Sequence, residues 1–321
     1  MSKFTAFLLV TAMTLTFSSF AQTETKTTEK KDEKTPATTT PTKAAVDEAD
    51  QVITNRLLRA SSGSLSRWSG NYSLNYLGGS VQKPLAAQRP NIVSGADALT
   101  LQYATANVGL RYRFSTLNSV TLATGMFMST PFNRTIKTKD ADLKSEFDKT
   151  KQVLTVNDPN LIFTNLANIY GFQIVNTFIP TLITNSQQRH QGYRASYDLS
   201  STIMKVVGKS DLTLGAAFEW TGYSFDKPNK DLATNVWQVY PIAEYIINET
   251  FNLRTLWGWQ VYQQTRNMKW TDYEKRTVYQ SLGLGISLTR DVFLYPNIQF
   301  IPSDIRGDRT NIGISAYINT F

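Results

Sequence analysis

From Trp68 onward, apolar and polar side chains alternate. Trp68, Gly70, Tyr72, Leu74 and Tyr76 fall on one side of an extended chain, and Ser69, Asn71, Ser73 and Asn75 on the other. Successive side chains of a strand point to opposite faces, so this stretch reads as a strand with one apolar and one polar side. Val108, Leu110, Tyr112 and Phe114 repeat the pattern opposite Asn107, Gly109, Arg111 and Arg113. Leu212 to Trp220 and Leu282 to Leu288 repeat it again. The pattern predicts twelve strands, at about 68–78, 102–114, 119–129, 159–168, 172–184, 192–207, 211–224, 235–247, 251–264, 278–289, 292–302 and 310–321.

The connections alternate in length. Ser115–Asn118, Ile169–Gly171, Gly208–Ser210, Asn248–Thr250 and Arg290–Asp291 have tight-turn length. The others, 79–101, 130–158, 185–191, 225–234, 265–277 and 303–309, are longer. A soluble sandwich has no reason to collect its short turns at one end. A transmembrane barrel does, and it also has an even strand count and strands of about ten residues. In lipid every backbone N–H and C=O must be paired internally, so a sheet spans only if it closes. The expected fold is all-β: a transmembrane antiparallel up-and-down β-barrel occupying residues 61–321. Trp68, Tyr76, Tyr193, Tyr197, Trp220, Trp237, Tyr245, Trp257 and Trp259 fall on the lipid-facing parity, as interfacial aromatics should.

The N-terminus carries an address. Met1-Ser2-Lys3 is a short basic start, Phe4 to Phe17 is mainly apolar, and Ser19-Phe20-Ala21 offers small residues at a cleavage site, so residues 1–21 read as a secretory signal peptide. Residues 22–60 form a Thr/Lys/Glu-rich spacer with too few apolar positions to order itself. Within it Val52, Ile53, Leu57 and Leu58 are spaced for a short amphipathic helix near 47–59, ahead of the main domain.

These features resemble bacterial outer-membrane β-barrel proteins, generically porin-like, over residues 68–321. The ending Ile312-Gly313-Ile314-Ser315-Ala316-Tyr317-Ile318-Asn319-Thr320-Phe321 sharpens the resemblance. Such proteins commonly end in an aromatic residue that the barrel assembly machinery reads. The resemblance thus implies Tyr317 and Phe321 as an assembly signal, that machinery as a partner, and the bacterial outer membrane as the location. Asn319 departs from the pattern, and the alternation puts Tyr317 and Phe321 on the face away from lipid. Pro180, Pro241 and Pro296 lie inside predicted strands, each removing a ladder donor. Asn176 and Gln280 face lipid by parity, and strand four, Leu161 to Asn168, does not alternate cleanly.

Composition narrows the chemistry. The 321 residues hold no Cys and one His, which excludes disulfide scaffolds, thiol nucleophiles and zinc–cysteine sites and leaves little for a histidine metal centre. No metal or other cofactor is expected. The formal charge of +8 owes part to the first 46 residues and does not by itself signal nucleic acid, which is not an expected partner; outer-membrane lipid and lipopolysaccharide are. The outer-membrane phospholipase family uses a His with a Ser two residues later. Here His190 is followed by Gln191 and Gly192, so that resemblance fails at the catalytic positions and no enzyme is expected. Arg111, Arg113, Arg194, Asp198, Glu219, Glu244 and Arg254 lie on the inward parity as candidate lumen-lining residues. Glu244 and Arg254 stand about level on either side of a tight turn and should pair. Asp198 and Glu219 should stand nearly level, with Arg194 between them. The expected function is a narrow passive channel for small polar solutes, formed by a monomer. The alternatives are a closed structural or surface-interaction barrel working through loops 79–101 and 130–158, and an outer-membrane lipid-modifying enzyme.

Overall fold

The computed structural model describes residues 21–22, 47–133, 152–226, 233–265 and 274–320. Twelve long strands form the wall. They are β1 (Trp68–Ser80), β2 (Tyr103–Ser115), β3 (Asn118–Ser129), β4 (Asn160–Ile169), β5 (Phe172–Leu182), β6 (Tyr193–Val206), β7 (Leu212–Phe225), β8 (Ala233–Ile246), β9 (Phe251–Thr265), β10 (Tyr279–Ser287), β11 (Val292–Phe300) and β12 (Asn311–Thr320). Every boundary falls within two residues of the pattern read from the sequence. Each strand pairs antiparallel with its chain neighbours. β12 then pairs with β1, from Asn311 opposite Ser80 to Thr320 opposite Gly70, so the barrel closes without a free edge.

The alternation separates the two surfaces. Leu110 is 55% exposed and Leu122 61% on the outside, whereas Ser69 and Thr121 are fully buried inside. The apolar outer belt is what lets such a cylinder stand in hydrocarbon. Among the described residues no helix is long and apolar enough to cross a membrane. The turn between β4 and β5 is tight: Tyr170 (φ 53°) and Gly171 (φ 81°) both occupy the left-handed region that a two-residue hairpin with the right twist requires.

The three strand prolines are accommodated by local breaks. Pro180 is in register with Tyr197 of β6, but the β4–β5 pairing skips from Phe178 to Thr181. Pro241 faces Ala216 of β7, and the β8–β9 pairing skips from Val239 to Ile242. Pro296 faces Ile314 of β12, and the β10–β11 pairing has a gap between Leu294 and Asn297. Each proline therefore sits where one of its two ladders is already interrupted, which is where a missing N–H does least harm.

Three sequence expectations are corrected. Tyr193 does not face lipid. The β6–β7 register shifts between Tyr193 and Ala195, and Tyr193 is buried with Ile183, Tyr223 and Phe225. Residues 130–158 are not wholly loop, because Leu154–Val156 pairs with Met126–Met128 and prolongs the sheet beyond β4. Residues 134–151, with the charged run and Leu143 and Phe147, lie outside the described residues, as do the signal peptide up to residue 20 and most of the spacer. The third correction is positional. The helical stretch near 47–59 forms two short helices, α1 (Glu48–Val52) and α2 (Arg56–Ser62), and they lie inside the barrel rather than ahead of it.

Candidate functional site

The short-turn end of the lumen is filled by residues 47–66. α1 is capped by Asp47, whose Oδ1 accepts from the Ala49 N–H at 2.9 Å, and α2 by Asn55, whose Oδ1 accepts from the Leu58 N–H at 3.0 Å. Both are ordinary N-cap contacts, which helices of five and seven residues need because their interiors contribute little. Ile53, fully buried, sits between them with Ala49 and Leu58. Their apolar cluster continues into the wall through Leu166, Val175, Met204, Ala217, Tyr240 and Ile242. Ala60 packs on Phe293 and Tyr317 at the opposite side.

Polar contacts hold this plug to the wall around its circumference. Gln173 of β5 accepts from the Thr54 and Asn55 N–H groups, both at 2.7 Å, and donates to Thr54 Oγ1 at 2.8 Å. The extended link between the two helices has no helical partner for these N–H groups, and one amide side chain supplies it. Asn55 Nδ2 donates to Glu244 Oε1 at 3.0 Å, while Arg254 Nη1 donates to Glu244 Oε2 at 3.0 Å. Arg113 reaches Asp47 at 3.0 Å and the Leu65 carbonyl at 3.1 Å. Arg290, in the β10–β11 turn, donates to Asp50 at 2.8–3.0 Å and also to the Gly63 carbonyl. Asn168 and Asn319 donate to the carbonyls of Val52 and Ala60, each at 3.0 Å. Asn319, out of place in a lipid-facing reading of the last strand, thus has a lumenal task. In the same turn, burial raises the Asp291 carboxyl above its ordinary value, with Arg290 at 3.1 Å opposing it.

Level with the plug and above it, the lumen lining differs from side to side. β4 to β8 present the apolar residues that receive the plug. β1 to β4 present hydroxyls and amides. Ser69 Oγ, Asn71 Oδ1, Ser119 Oγ, Thr121 Oγ1, Asn160 Oδ1 and Thr164 Oγ1 are buried there with no hydrogen-bond partner among the described residues. This wall is tightly packed. A Cβ on Gly109 would lie 2.4 Å from Asn71 Oδ1, and a cavity of about 30 Å³ between Asn107, Asn160, Thr181 and Asp198 has room for little more than a water.

The seven charged candidates divide by depth. Glu244 and Arg254 pair as their level positions require, directly opposite on β8 and β9. Arg111 and Arg113 are buried and inward on β2, and Arg113 is tied to the plug. Asp198 accepts from Thr221 Oγ1, which lies opposite it, and Glu219 stands opposite Ser200, two residues along. Arg194 is not between these carboxylates. The irregularity at Tyr193–Ala195 carries it to the long-loop rim, where it pairs with Asp226, and both side chains are about one-third exposed. Tyr317 is buried and faces inward opposite Phe293, while Phe321 lies outside the described residues. His190 is exposed on α3 (Ser186–Gln191). Among the described residues no group of three or more His, Cys, Asp or Glu side chains is placed to hold a metal.

This closed twelve-stranded wall has the fold of outer-membrane channels. An outer membrane channel from Pseudomonas putida F1 superposes with a TM-score of 0.50 at 11% identity, covering 80% of this chain and 97% of that one. The NanC porin gives 0.40 at 10% identity, covering 78% and 98%. No protein-family model matches the chain, and no curated protein matches it in sequence.

The plug contacts were hidden from sequence reasoning, yet one signal pointed to them. Strand four failed to alternate because its inward residues Ile162 and Leu166 are apolar, and Leu166 is part of the plug's seat. A helix of seven residues with Leu57 and Leu58 gives too little periodicity to say which surface it packs on.

Proposed function

We propose that the protein is a bacterial outer-membrane channel for small polar solutes, held shut at its periplasmic end by its own residues 47–66. The observation that carries this reading is where the occlusion comes from. The occluding segment contributes none of the twelve wall strands, and the wall around it closes by itself through β12 and β1. The inward side chains around it are largely hydroxyls, amides and charged groups, a lining that suits water and small polar solutes once the segment leaves. Short turns lie on the periplasmic side in such barrels, so the plug faces the periplasm. The chain's C-terminal strand is proposed to be read by the assembly machinery while still unpaired, when the inward direction of Tyr317 is no obstacle. Lipopolysaccharide is the proposed neighbour of the long-loop end.

Planar-bilayer recording tests this. The full chain should show small or rare openings, and a chain lacking residues 22–66 should show steady ohmic conductance with the same heat-modifiable electrophoretic band. A truncated barrel that inserts and folds but does not conduct would leave the closed structural barrel as the better reading.

A further inference from the structure

The outside of the barrel carries a polar row where lipid tails should lie. Asn118, Asn165, Asn176 and Ser201 are in register across β3, β4, β5 and β6. They are linked side chain to side chain. Asn165 Nδ2 donates to Asn118 Oδ1 at 2.9 Å, Asn176 Nδ2 to Asn165 Oδ1 at 3.3 Å, and Ser201 Oγ to Asn176 Oδ1 at 2.8 Å. All four belong to the outward parity, alongside the exposed Phe163, Phe178 and Leu199. The Phe163 and Phe178 rings stack beside the row, 6.2 Å apart.

The depth of the row matters. On β6, Lys205 is exposed near the short turn with its ammonium 4.3 Å from the Phe172 ring, which marks the headgroup boundary. Tyr197, 39% exposed, stands toward the other end of the same strand among the outward aromatics Trp220 and Trp237. Ser201 lies four residues from each. At roughly 3.3 Å per residue that is about 13 Å of strand either way, or about 10 Å of height at a tilt of about 35–45°, so the row rises from Asn118, beside the short β2–β3 turn, into the apolar band at Asn165, Asn176 and Ser201. Water does not reach this depth. Asn165 and Asn176 each use one N–H and one acceptor position within the row and keep one N–H and further lone-pair capacity.

We propose that this row is a protein–protein interface inside the membrane, and that its partner is a second copy of the same chain. Hydrocarbon offers neither donors nor acceptors. The row offers both, so it is its own complement, as an isologous contact requires. The stacked phenylalanines supply the apolar, aromatic border that interface cores favour. A two-fold axis along the membrane normal makes two inclined rows cross at their centres, so Asn165 and Asn176 meet their counterparts. The sequence led to the expectation of a monomer; the proposed dimer joins the β4–β5 sides of two barrels and leaves β10–β11 facing lipid.

The absence of cysteine makes a clean test. Ala167→Cys and Phe163→Cys bracket Asn165 on the outward face of β4, and Leu284→Cys on β10 is the control. Each full-length variant, in its own outer membranes, is oxidised with iodine, which partitions into lipid and joins two neighbouring thiols as a disulfide while being reduced to iodide. Either β4 cysteine should give a band of twice the monomer mass that contains this chain alone, and Leu284→Cys should give none. In nanodiscs, native mass spectrometry of the unmodified protein should give a dimer, and Asn165→Leu combined with Asn176→Leu should give a monomer with the heat-modifiable band retained. Cross-linking no stronger than the control, products containing a different protein, or a dimer that survives the double substitution would each overturn the proposal.

Discussion

Glu244 and Arg254 face each other across β8 and β9 at 3.0 Å, and the second oxygen of Glu244 is taken by Asn55 from the N-terminal segment. Both charged side chains are almost fully buried. A pair between neighbouring strands would stiffen the wall by itself. With Asn55 included, the wall's deepest ion pair also holds the plug in place.

Asn55→Ala removes that contact and the N-cap of α2 together. A hydrogen bond to a charged group is worth about 1.5–3 kcal/mol, so the closed-to-open ratio should fall by about 10- to 150-fold at 1.4 kcal/mol per decade. Single-channel open probability measures this directly. The wall should still give its heat-modifiable band, because none of its strand pairings involves residue 55.

Ile53→Ala tests the apolar seat in the same way. Deleting a fully buried large aliphatic side chain costs about 2–5 kcal/mol. Here the loss should appear as plug release, seen as faster proteolysis of the first 66 residues and increased conductance. The melting of the barrel wall should change little. A matching fall in wall stability without added conductance would show the segment to be a structural core of the barrel.

Pro241→Ala and Pro296→Ala should be mild, costing less than about 1 kcal/mol through the unfolded chain. The ladders beside them are already broken, so restoring an N–H closes no gap. Leu214→Pro, in a strand paired on both sides, should cost about 3 kcal/mol or more by analogy with other regular elements. Urea titration of refolded protein in detergent distinguishes the two cases.

With the plug deleted, Asp198 and Glu219 would face the lumen together with Arg111 and Arg113, while Glu244 is neutralised by Arg254. Asp198→Asn with Glu219→Gln should move the reversal potential in a salt gradient toward anion preference, since Arg111 and Arg113 remain. An unchanged reversal potential would place the solute path away from β6 and β7.

The wall was legible because lipid and water impose opposite demands on successive residues, and that demand fixes parity, length and turn spacing together. What was not legible came from contacts that parity does not encode. Arg194 was misplaced because a one-residue register shift leaves no mark in hydrophobicity. Asn319 looked like a flaw in the last strand because its partner, the Ala60 carbonyl, lies some 260 residues earlier. Leu166 blurred the alternation of strand four for a physical reason, since an inward residue covered by a plug obeys the rules of a protein core rather than those of a wetted pore.

The Asn319–Ala60 contact also sets an order of events. Its acceptor precedes every wall strand in the chain and its donor lies on the last of them, the strand that joins β11 to β1. Until that strand arrives, one flank of the plug's seat does not exist. The strand that closes the cylinder therefore also completes the seat of the segment that fills it.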